Sequence, residues 1–243
     1  DGCCCFSDGN TIYVVEYGSN KVAVLAANNG HPTVTREVSV GPYPASIAVN
    51  PNGTEFYVTM NGNGTLEIFD TSTWSKTMGL AVNTHPWDVA VNAAGTRLAV
   101  SHDGGNGIVL IDLPSYTSTS VSLAERYFSV WFGGTGTRLY ATEFDSARVN
   151  TIDLSNNNAV TSVVPTGASG MRDVVMSPDG CSLAAAGQNS NAVYFMTVSP
   201  CEPLPLSLSG GSQGSQGGSS NVSTGGTALA STGFDSSGLG IIG

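Results

Sequence analysis

The side chains in this chain that could most readily bind a metal or react are three adjacent cysteines near its start and three scattered histidines. Cys3, Cys4 and Cys5 have the composition of a metal or redox cluster, but no CxxC or CxxCH motif accompanies them. Alternate side chains of a strand point to opposite faces, so three consecutive thiols do not converge easily on one ion. We interpret them as small, buried strand residues. The histidines share no close spacing and no carboxylate at a motif distance, so we expect no metal site and no cofactor; they are His31, His85 and His102.

Other chemical motifs are missing from the sequence. It contains no HExxH, P-loop or EF-hand pattern. Asp70, Asp112 and Asp153 recur at equivalent places and could be read as a ligand series. The alternative is that each aspartate accepts hydrogen bonds from backbone amides two residues on and closes a turn, and we favour it. Any active site must therefore be assembled from residues that are distant in sequence.

An internal repeat predicts the elements that would position such residues. A short apolar phrase recurs five times at intervals of 41 to 44 residues, and a glycine lies three residues before each phrase. The phrases begin at Ile12, Phe56, Leu98, Leu139 and Leu183, and the glycines are Gly9, Gly53, Gly95, Gly136 and Gly180. A period of this length indicates one small sheet per repeat. Four-stranded antiparallel sheets arranged radially form an all-β propeller, which is the predicted fold class. Five blades are visible, either of a seven-bladed ring with two blades before Asp1 or of a smaller ring.

Within each repeat we predict four strands. The first is apolar, at 45–49, 87–91, 128–132 and 172–176, and the fourth is polar and alternating, at 33–40, 76–82, 119–123 and 160–164. This gradient is typical of a buried inner strand and a solvated edge. In the fifth repeat, Pro203 and Pro205 disfavour a fourth strand at Leu204–Leu208.

Alternating strand directions divide the loops between two faces of the predicted disc. Loops from strand 4 to strand 1 and from strand 2 to strand 3 share one face, which we call the first face. Glycine turns occupy the second face, whereas aromatic and charged residues gather on the first, where we predict a binding surface. The predicted binding residues are Trp87, Asp88, His102, Tyr127, Glu143, Arg172 and Asp173. The alternative for Trp87 and Phe128 is that they only pack between blades.

Composition excludes some partners and divides the chain. With 8 Lys and Arg against 18 Asp and Glu, the formal net charge is −10, which disfavours binding to nucleic acid or to an anionic membrane through a basic patch. The longest apolar runs have strand length, so no complete transmembrane helix is expected.

We predict repeats over 1–206, a flexible Ser/Gly-rich linker over 207–228 and a separate segment over 229–243, the tail being disordered. Because the chain begins inside a repeat, we expect it to be a piece of a longer protein.

The repeat resembles the YVTN family of surface-layer-type β-propellers. The resemblance covers residues 1 to about 198 and lies in the YV-x phrases, in Asn20–Leu25, in Ala147–Asp153 and in the Val40–Pro44 closing phrase. It implies an extracellular or cell-surface setting, a ring that usually has seven blades, and often no known catalysis. In an extracellular setting a disulfide is permitted. We predict one between Cys181, at the start of the second strand of blade 5, and Cys201, after the neighbouring third strand.

The tail resembles a Gram-positive sorting signal of the LAxTG type. Leu229, Ala230, Thr232 and Gly233 match the motif. The resemblance implies that a sortase cuts between Thr232 and Gly233 and attaches the protein to the cell wall. A hydrophobic span and a basic end would normally follow, so contact with a membrane is expected only through a span beyond Gly243.

Three functions are consistent with these features. The first is a cell-surface, wall-anchored binding or scaffold module without catalysis, whose ligand is a protein or a glycan. The second is a propeller enzyme of lactonase-like or lyase-like type, with Glu143, His102 or Asp173 as acid–base groups at the pore mouth. The third is a purely structural wall spacer. An enzyme requires a titratable group with a strongly perturbed pKa in a deep pocket, whereas a binder requires only a broad aromatic and acidic surface.

Overall fold

A computed structural model describes residues 4–6, 10–28, 31–104, 107–123 and 125–203. The described chain is all-β and forms five antiparallel sheets in sequence order, which we call blades 1 to 5. Blade 1 contains β1 Cys4–Phe6, β2 Thr11–Glu16, β3 Lys21–Ala26 and β4 Thr33–Ser39. Blade 2 contains β5 Pro44–Val49, β6 Glu55–Met60, β7 Thr65–Asp70 and β8 Lys76–Ala81. Blade 3 contains β9 Pro86–Val91, β10 Arg97–His102, β11 Ile108–Asp112 and β12 Thr117–Val121. Blade 4 contains β13 Tyr127–Phe132, β14 Arg138–Glu143, β15 Arg148–Asp153 and β16 Ala159–Val163. Blade 5 contains β17 Met171–Met176, β18 Ser182–Gly187 and β19 Ala192–Thr197.

Burial follows the predicted gradient from inner to outer strands. In blade 4 every residue of β14 except its first is buried, whereas every residue of β16 is exposed. Inner strands are covered on both sides because one set of alternating side chains faces the preceding blade and the other set faces the following blade. Between blades 2 and 3, for example, Tyr57 packs with Leu98 and Val100 in one apolar cluster. The core is therefore a series of layers between neighbouring blades.

A hydroxyl at the end of the second strand links blade 2 to blade 3 and blade 3 to blade 4. Thr59 Oγ1 accepts from Ser46 N at 3.0 Å and donates to Trp87 O, in blade 3, at 2.9 Å. The same position is Ser101 in blade 3, which bonds Asp88 N at 3.0 Å and Phe128 O at 3.3 Å. The hydroxyl lies where the pairing of the first two strands shifts register, so it satisfies backbone groups that the bulge leaves unpaired.

The blades contact one another in chain order. The inner strands β1, β5, β9, β13 and β17 form successive contacts, and among the described residues no strand of blade 1 contacts blade 5 extensively. Blade 5 has three strands there, and its outward side chains Val193 and Phe195 are 55% and 79% exposed. Their equivalents in blade 3, Ile108 and Leu110, are at most 6% exposed because blade 4 covers them.

A disulfide fixes the end of the described chain. Cys181 and Cys201 are bonded, with a Cα–Cα distance of 4.3 Å, as the strand order predicted. Beyond the bridge, Glu202 N donates to Gly180 O at 2.8 Å and the Glu202 carboxylate lies 3.1 Å from the Arg138 guanidinium. The chain thus turns toward the inner strands of blade 4 and away from the edge of β19. The doubtful strand Leu204–Leu208, the linker and the LAxTG segment lie outside the described residues, and the described part contains no helix long and apolar enough to cross a membrane.

Candidate functional site

Three side chains from successive blades converge at the inner mouth of the first face. Trp87, Phe128 and Arg172 occupy the same place, second in the first strand of blades 3, 4 and 5. The Arg172 guanidinium lies 4.3 Å from the Phe128 ring centroid and 4.7 Å from that of Trp87, and the two rings are 5.3 Å apart, edge to face. Since Arg172 reaches a ring two blades away, these side chains must point toward the axis around which the blades are arranged.

A second arginine continues this arrangement outward. Arg126 lies over the Phe144 ring at 5.0 Å and over the Phe128 ring at 5.7 Å, and the two phenylalanine rings are 5.0 Å apart. Arg126 also donates two hydrogen bonds to Asp145, of 2.6 and 2.8 Å. We call the five stacked groups Trp87, Arg172, Phe128, Arg126 and Phe144 the cation–aromatic ladder. A guanidinium over an aromatic face is held by the ring quadrupole, so the ladder presents fixed charge beside apolar surface.

Asp103 is the titratable group most closely associated with the ladder. It lies in the loop between β10 and β11, and its backbone N–H donates to His85 O at 3.1 Å. Partial burial raises the pKa of the Asp103 carboxyl, while the charges of His85, Arg126 and Arg172 oppose that rise. The first face therefore combines two cations, Asp103 and Asp145 around the three rings.

Two of the predicted binding residues lie beneath this surface and link blades. Asp88 is 3% exposed and accepts hydrogen bonds from Ser46 Oγ of blade 2 at 2.6 Å and from Val130 N of blade 4 at 3.0 Å. Burial raises the pKa of Asp88, and these donors counteract the rise. Asp173, at the same position in blade 5, accepts from Ser129 Oγ at 2.9 Å. Both carboxylates are thus engaged in joining adjacent blades.

His102 is also buried, at the end of β10. Its Nδ1 lies 3.2 Å from Gly107 O, and its Nε2 contacts Val82 O at the end of the outer strand of blade 2. Burial lowers the pKa of the imidazole, which favours the neutral ring with a single N–H. The side chain therefore lies between two loops of the first face, donates its one N–H to a single carbonyl of the two, and is not presented at the surface.

Glu143 and Tyr127 form a separate buried polar cluster with Asn150. The Asn150 amide donates to Tyr127 Oη at 2.8 Å and to Glu143 Oε2 at 3.0 Å, and Arg148 lies 3.5 Å from Glu143 Oε1. Burial raises the pKa of Tyr127, and the Glu143 charge adds to the rise. Glu143 is 2% exposed, so its carboxylate is held within the blade.

The sequence thus located the face, whereas the structure shows which of its side chains are presented. Of the seven predicted binding residues, Trp87 and Arg172 are brought together, whereas the other five are buried or bound between strands. Arg126, Phe128, Phe144 and Asp103 are not among those seven. The available signal was positional, since Phe128 and Trp87 hold the same place in their repeats.

The repeated aspartates and the cavities are found elsewhere. Asp70 accepts from Ser72 N at 2.9 Å and from Thr73 N at 2.7 Å, and these bonds and those of the two hydroxyls lower its pKa to about 2. Asp153 closes the corresponding turn through Ser155 N at 3.0 Å, as the turn interpretation predicted. The carboxylate of the third, Asp112, differs in accepting from Arg97 Nε at 2.6 Å. A cavity of about 350 Å³ lies between the outer strands of blades 4 and 5, and another of about 230 Å³ lies among the glycine turns of the second face. In the described residues no three His, Cys, Asp or Glu side chains are grouped to hold a metal ion.

Solved structures with the same arrangement of sheets identify the architecture. Hydrazine synthase of Kuenenia stuttgartiensis matches with 25% identity and a TM-score of 0.66 over 74% of this chain and 53% of that one. The Cps50 beta-propeller domain of Myceliophteria thermophila matches with 13% identity and a TM-score of 0.68, over 82% of this chain and 65% of the other. The fold is a β-propeller.

A third propeller match is a protein described as a putative 6-phosphogluconolactonase, from Bacteroides uniformis. It is 12% identical with a TM-score of 0.67, over 83% of this chain and 67% of the other. The chain spans about half the length of the hydrazine synthase chain. No family model matches the sequence, and no curated protein is significantly similar to it. The propeller fold is thus shared with proteins of unrelated activities, so function must be argued from the site.

Proposed function

We propose that this propeller is a non-catalytic binding or scaffold module of the cell surface, anchored to the cell wall through its tail. The observation that carries the proposal is the cation–aromatic ladder on the first face. Its members lie in β9, β13 and β17 and in the two loops that flank β13 and β14, and around the buried Phe128 ring the side chains of Trp87, Phe144 and the two arginines are partly exposed. Such a surface can recognise a ligand through stacking and hydrogen bonding without any reactive group.

The burial of the predicted acid–base groups supports this choice. Glu143 and His102 are at most 2% exposed, and Asp173 is bonded to Ser129 of the preceding blade. The two cavities described above also lie away from the ladder. A binding module does not require any of these groups to be free for acid–base chemistry.

The YVTN-like repeat and the LAxTG motif supply the setting of the proposal. Anchoring is tested by expressing the full-length gene in its host, with Thr232→Ala beside the wild type. We expect the wild-type protein to stay attached to the wall after boiling in detergent, whereas the variant is released. Equal attachment of both proteins would mean that the motif is a coincidence of composition.

Binding is tested on the ladder itself. Arg172→Ala removes the cation between Trp87 and Phe128, and Ser122→Ala, at an exposed site outside the ladder, is a matched control. The proteins are compared by biolayer interferometry on a panel of immobilised glycans and extracellular proteins. A ligand whose affinity falls at least about tenfold in the Arg172 variant alone supports the proposal. Absence of any such ligand favours the spacer function.

The second candidate function is an enzyme at the pore mouth, and Asp103 is the observation that favours it. Its raised pKa beside two arginines is typical of a general acid or base. Hydrolysis of a panel of sugar lactones by the wild type and its loss in Asp103→Asn would establish the enzyme and overturn the non-catalytic proposal.

A further inference from the structure

A pair of tyrosines forms a second aromatic surface on the first face, between blades 1 and 2. Tyr43 lies in the loop before β5 and is 52% exposed. Its ring centroid is 5.2 Å from that of Tyr17, in the loop after β2, and the two rings are inclined by 33°. Neither residue contributes to the cation–aromatic ladder, which begins at Trp87.

The backbone of Tyr43 has a conformation that tyrosine disfavours. Its φ is +53°, although it precedes Pro44, which biases the preceding residue toward an extended conformation. The equivalent residue of blade 5 is Gly170, with φ +62°, a conformation that glycine adopts without steric cost. The same position is left-handed in blade 3 as well, where His85 has φ +52°, so the conformation belongs to the repeat. What distinguishes blade 2 is that this rigid position carries an exposed tyrosine ring.

The surrounding residues hold this conformation and leave room for the ring. Tyr43 N donates to Asn20 Oδ1 at 2.9 Å, and Asn61 N donates to Tyr43 O at 2.9 Å. A Cβ on Gly62 would lie 2.6 Å from Tyr43 Cδ2, so only glycine allows the ring to lie against this turn. Both blades therefore fix the tyrosine before any ligand arrives, which lowers the entropic cost of binding.

The chemistry of the surface indicates an uncharged sugar chain. Tyrosine rings offer flat apolar faces with polar tips, which match the C–H faces and hydroxyls of a pyranose. Exposed neutral polar residues lie beside the pair, among them Ser19, Asn20 and Asn63, and the carboxylate next to Tyr17, that of Glu16, accepts from Ser19 Oγ. The nearest lysine in sequence, Lys21, is paired with Glu37 at 2.6 Å. The described residues beside the pair thus offer no unpaired cation to an anionic ligand, so stacking must provide most of the affinity.

We propose that Tyr17 and Tyr43 form a binding site for a neutral oligosaccharide, with Tyr43 as the principal stacking residue. This site adds a ligand class to the proposed binding function. It rests on that function only because it needs the first face to be accessible. It requires neither the ladder nor the tail.

The test uses the full chain and the variant Tyr43→Gly. Because glycine relieves the left-handed backbone, we expect the melting temperature to stay equal or rise, while affinity for the sugar falls at least about tenfold. Asn191→Gly, at an exposed left-handed position (φ +49°) of blade 5, is the matched control and should bind as the wild type does. Tyr17→Leu should also weaken binding. The probes are hexasaccharides of glucose and of N-acetylglucosamine, measured by calorimetry.

Three results would overturn the proposal. The first is no binding of either hexasaccharide to the wild type, or equal binding by the wild type and Tyr43→Gly. The second is a lower melting temperature for Tyr43→Gly, which would assign the ring to the stability of the loop. The third is binding of a polyproline decapeptide at this site in place of the sugars. If the sugar proposal fails in one of these ways while Arg172→Ala still weakens binding of a ligand to the ladder, the proposal for the ladder remains.

Discussion

At the scale of the residue, Asp88 shows how a charged side chain serves the architecture. Its carboxylate accepts from Ser46 of blade 2, from Val130 of blade 4 and from its own neighbour Val89. A buried carboxylate needs such donors, because a buried polar atom without a hydrogen-bond partner costs free energy. The residue therefore couples three blades.

We predict that Asp88→Ala lowers the free energy of unfolding by about 2–5 kcal/mol, since it leaves buried donors without an acceptor. The matched control is Asp112→Ala, whose carboxylate pairs with Arg97 at the surface and should contribute about 1 kcal/mol or less. Chemical denaturation of both variants measures the difference. Equal destabilisation by the two substitutions would contradict the interblade role.

His102 predicts a pH dependence of stability. Burial lowers its pKa in the folded state below the ordinary value of about 6.5, so the unfolded state binds more protons near that pH. The stabilisation is therefore complete above about pH 6.5 and is lost as the pH falls toward the lower folded value. His102→Gln keeps one N–H donor without titrating, so its stability should change less between pH 7 and 5. An identical pH profile in urea denaturation would refute the assignment.

At the scale of the element, the last blade depends on a covalent link. Cys181 and Cys201 are 20 residues apart and connect the start of β18 to the segment after β19. Closing a loop of this length stabilises by about 3 kcal/mol in the chain-entropy description. In the described part of the chain this blade has three strands, whereas the other blades have four. Fewer strands are therefore available to pack it against its neighbour, blade 4.

We expect the double variant Cys181→Ser, Cys201→Ser to lose about that much stability and to melt at a lower temperature than the oxidised wild type. Wild type under reducing conditions should behave in the same way. Two free thiols found by mass spectrometry after alkylation of the native protein would show that the bridge does not form.

At the scale of the whole molecule, the row of blades presents an apolar surface at blade 5. Val193 and Phe195 are exposed where blades 1, 2 and 3 bury the equivalent residues. Together with the edge of β19, which no described strand covers, this surface favours association between copies.

We predict that the protein self-associates and that Val193→Thr with Phe195→Ser increases the monomer fraction without lowering the melting temperature. Val160→Thr, on the exposed outer strand of blade 4, is the control and should change neither property. Sedimentation velocity distinguishes the outcomes. A monodisperse wild-type monomer would contradict the prediction.

The sequence by itself determined the fold, since the glycine spacing and the apolar phrases are local signals that each repeat carries independently. It also determined the turn role of Asp70 and Asp153, because that hydrogen bonding takes place within a few residues. The presentation of side chains on the first face was decided only by the tertiary structure. Bulges shift the register at the start of the first strands, so Trp87, Phe128 and Arg172 reach the mouth while Asp88 turns between blades. Val82, which contacts His102, and the two rings that contact Arg172 lie in other blades, and distances between blades are not encoded in the sequence of any one repeat.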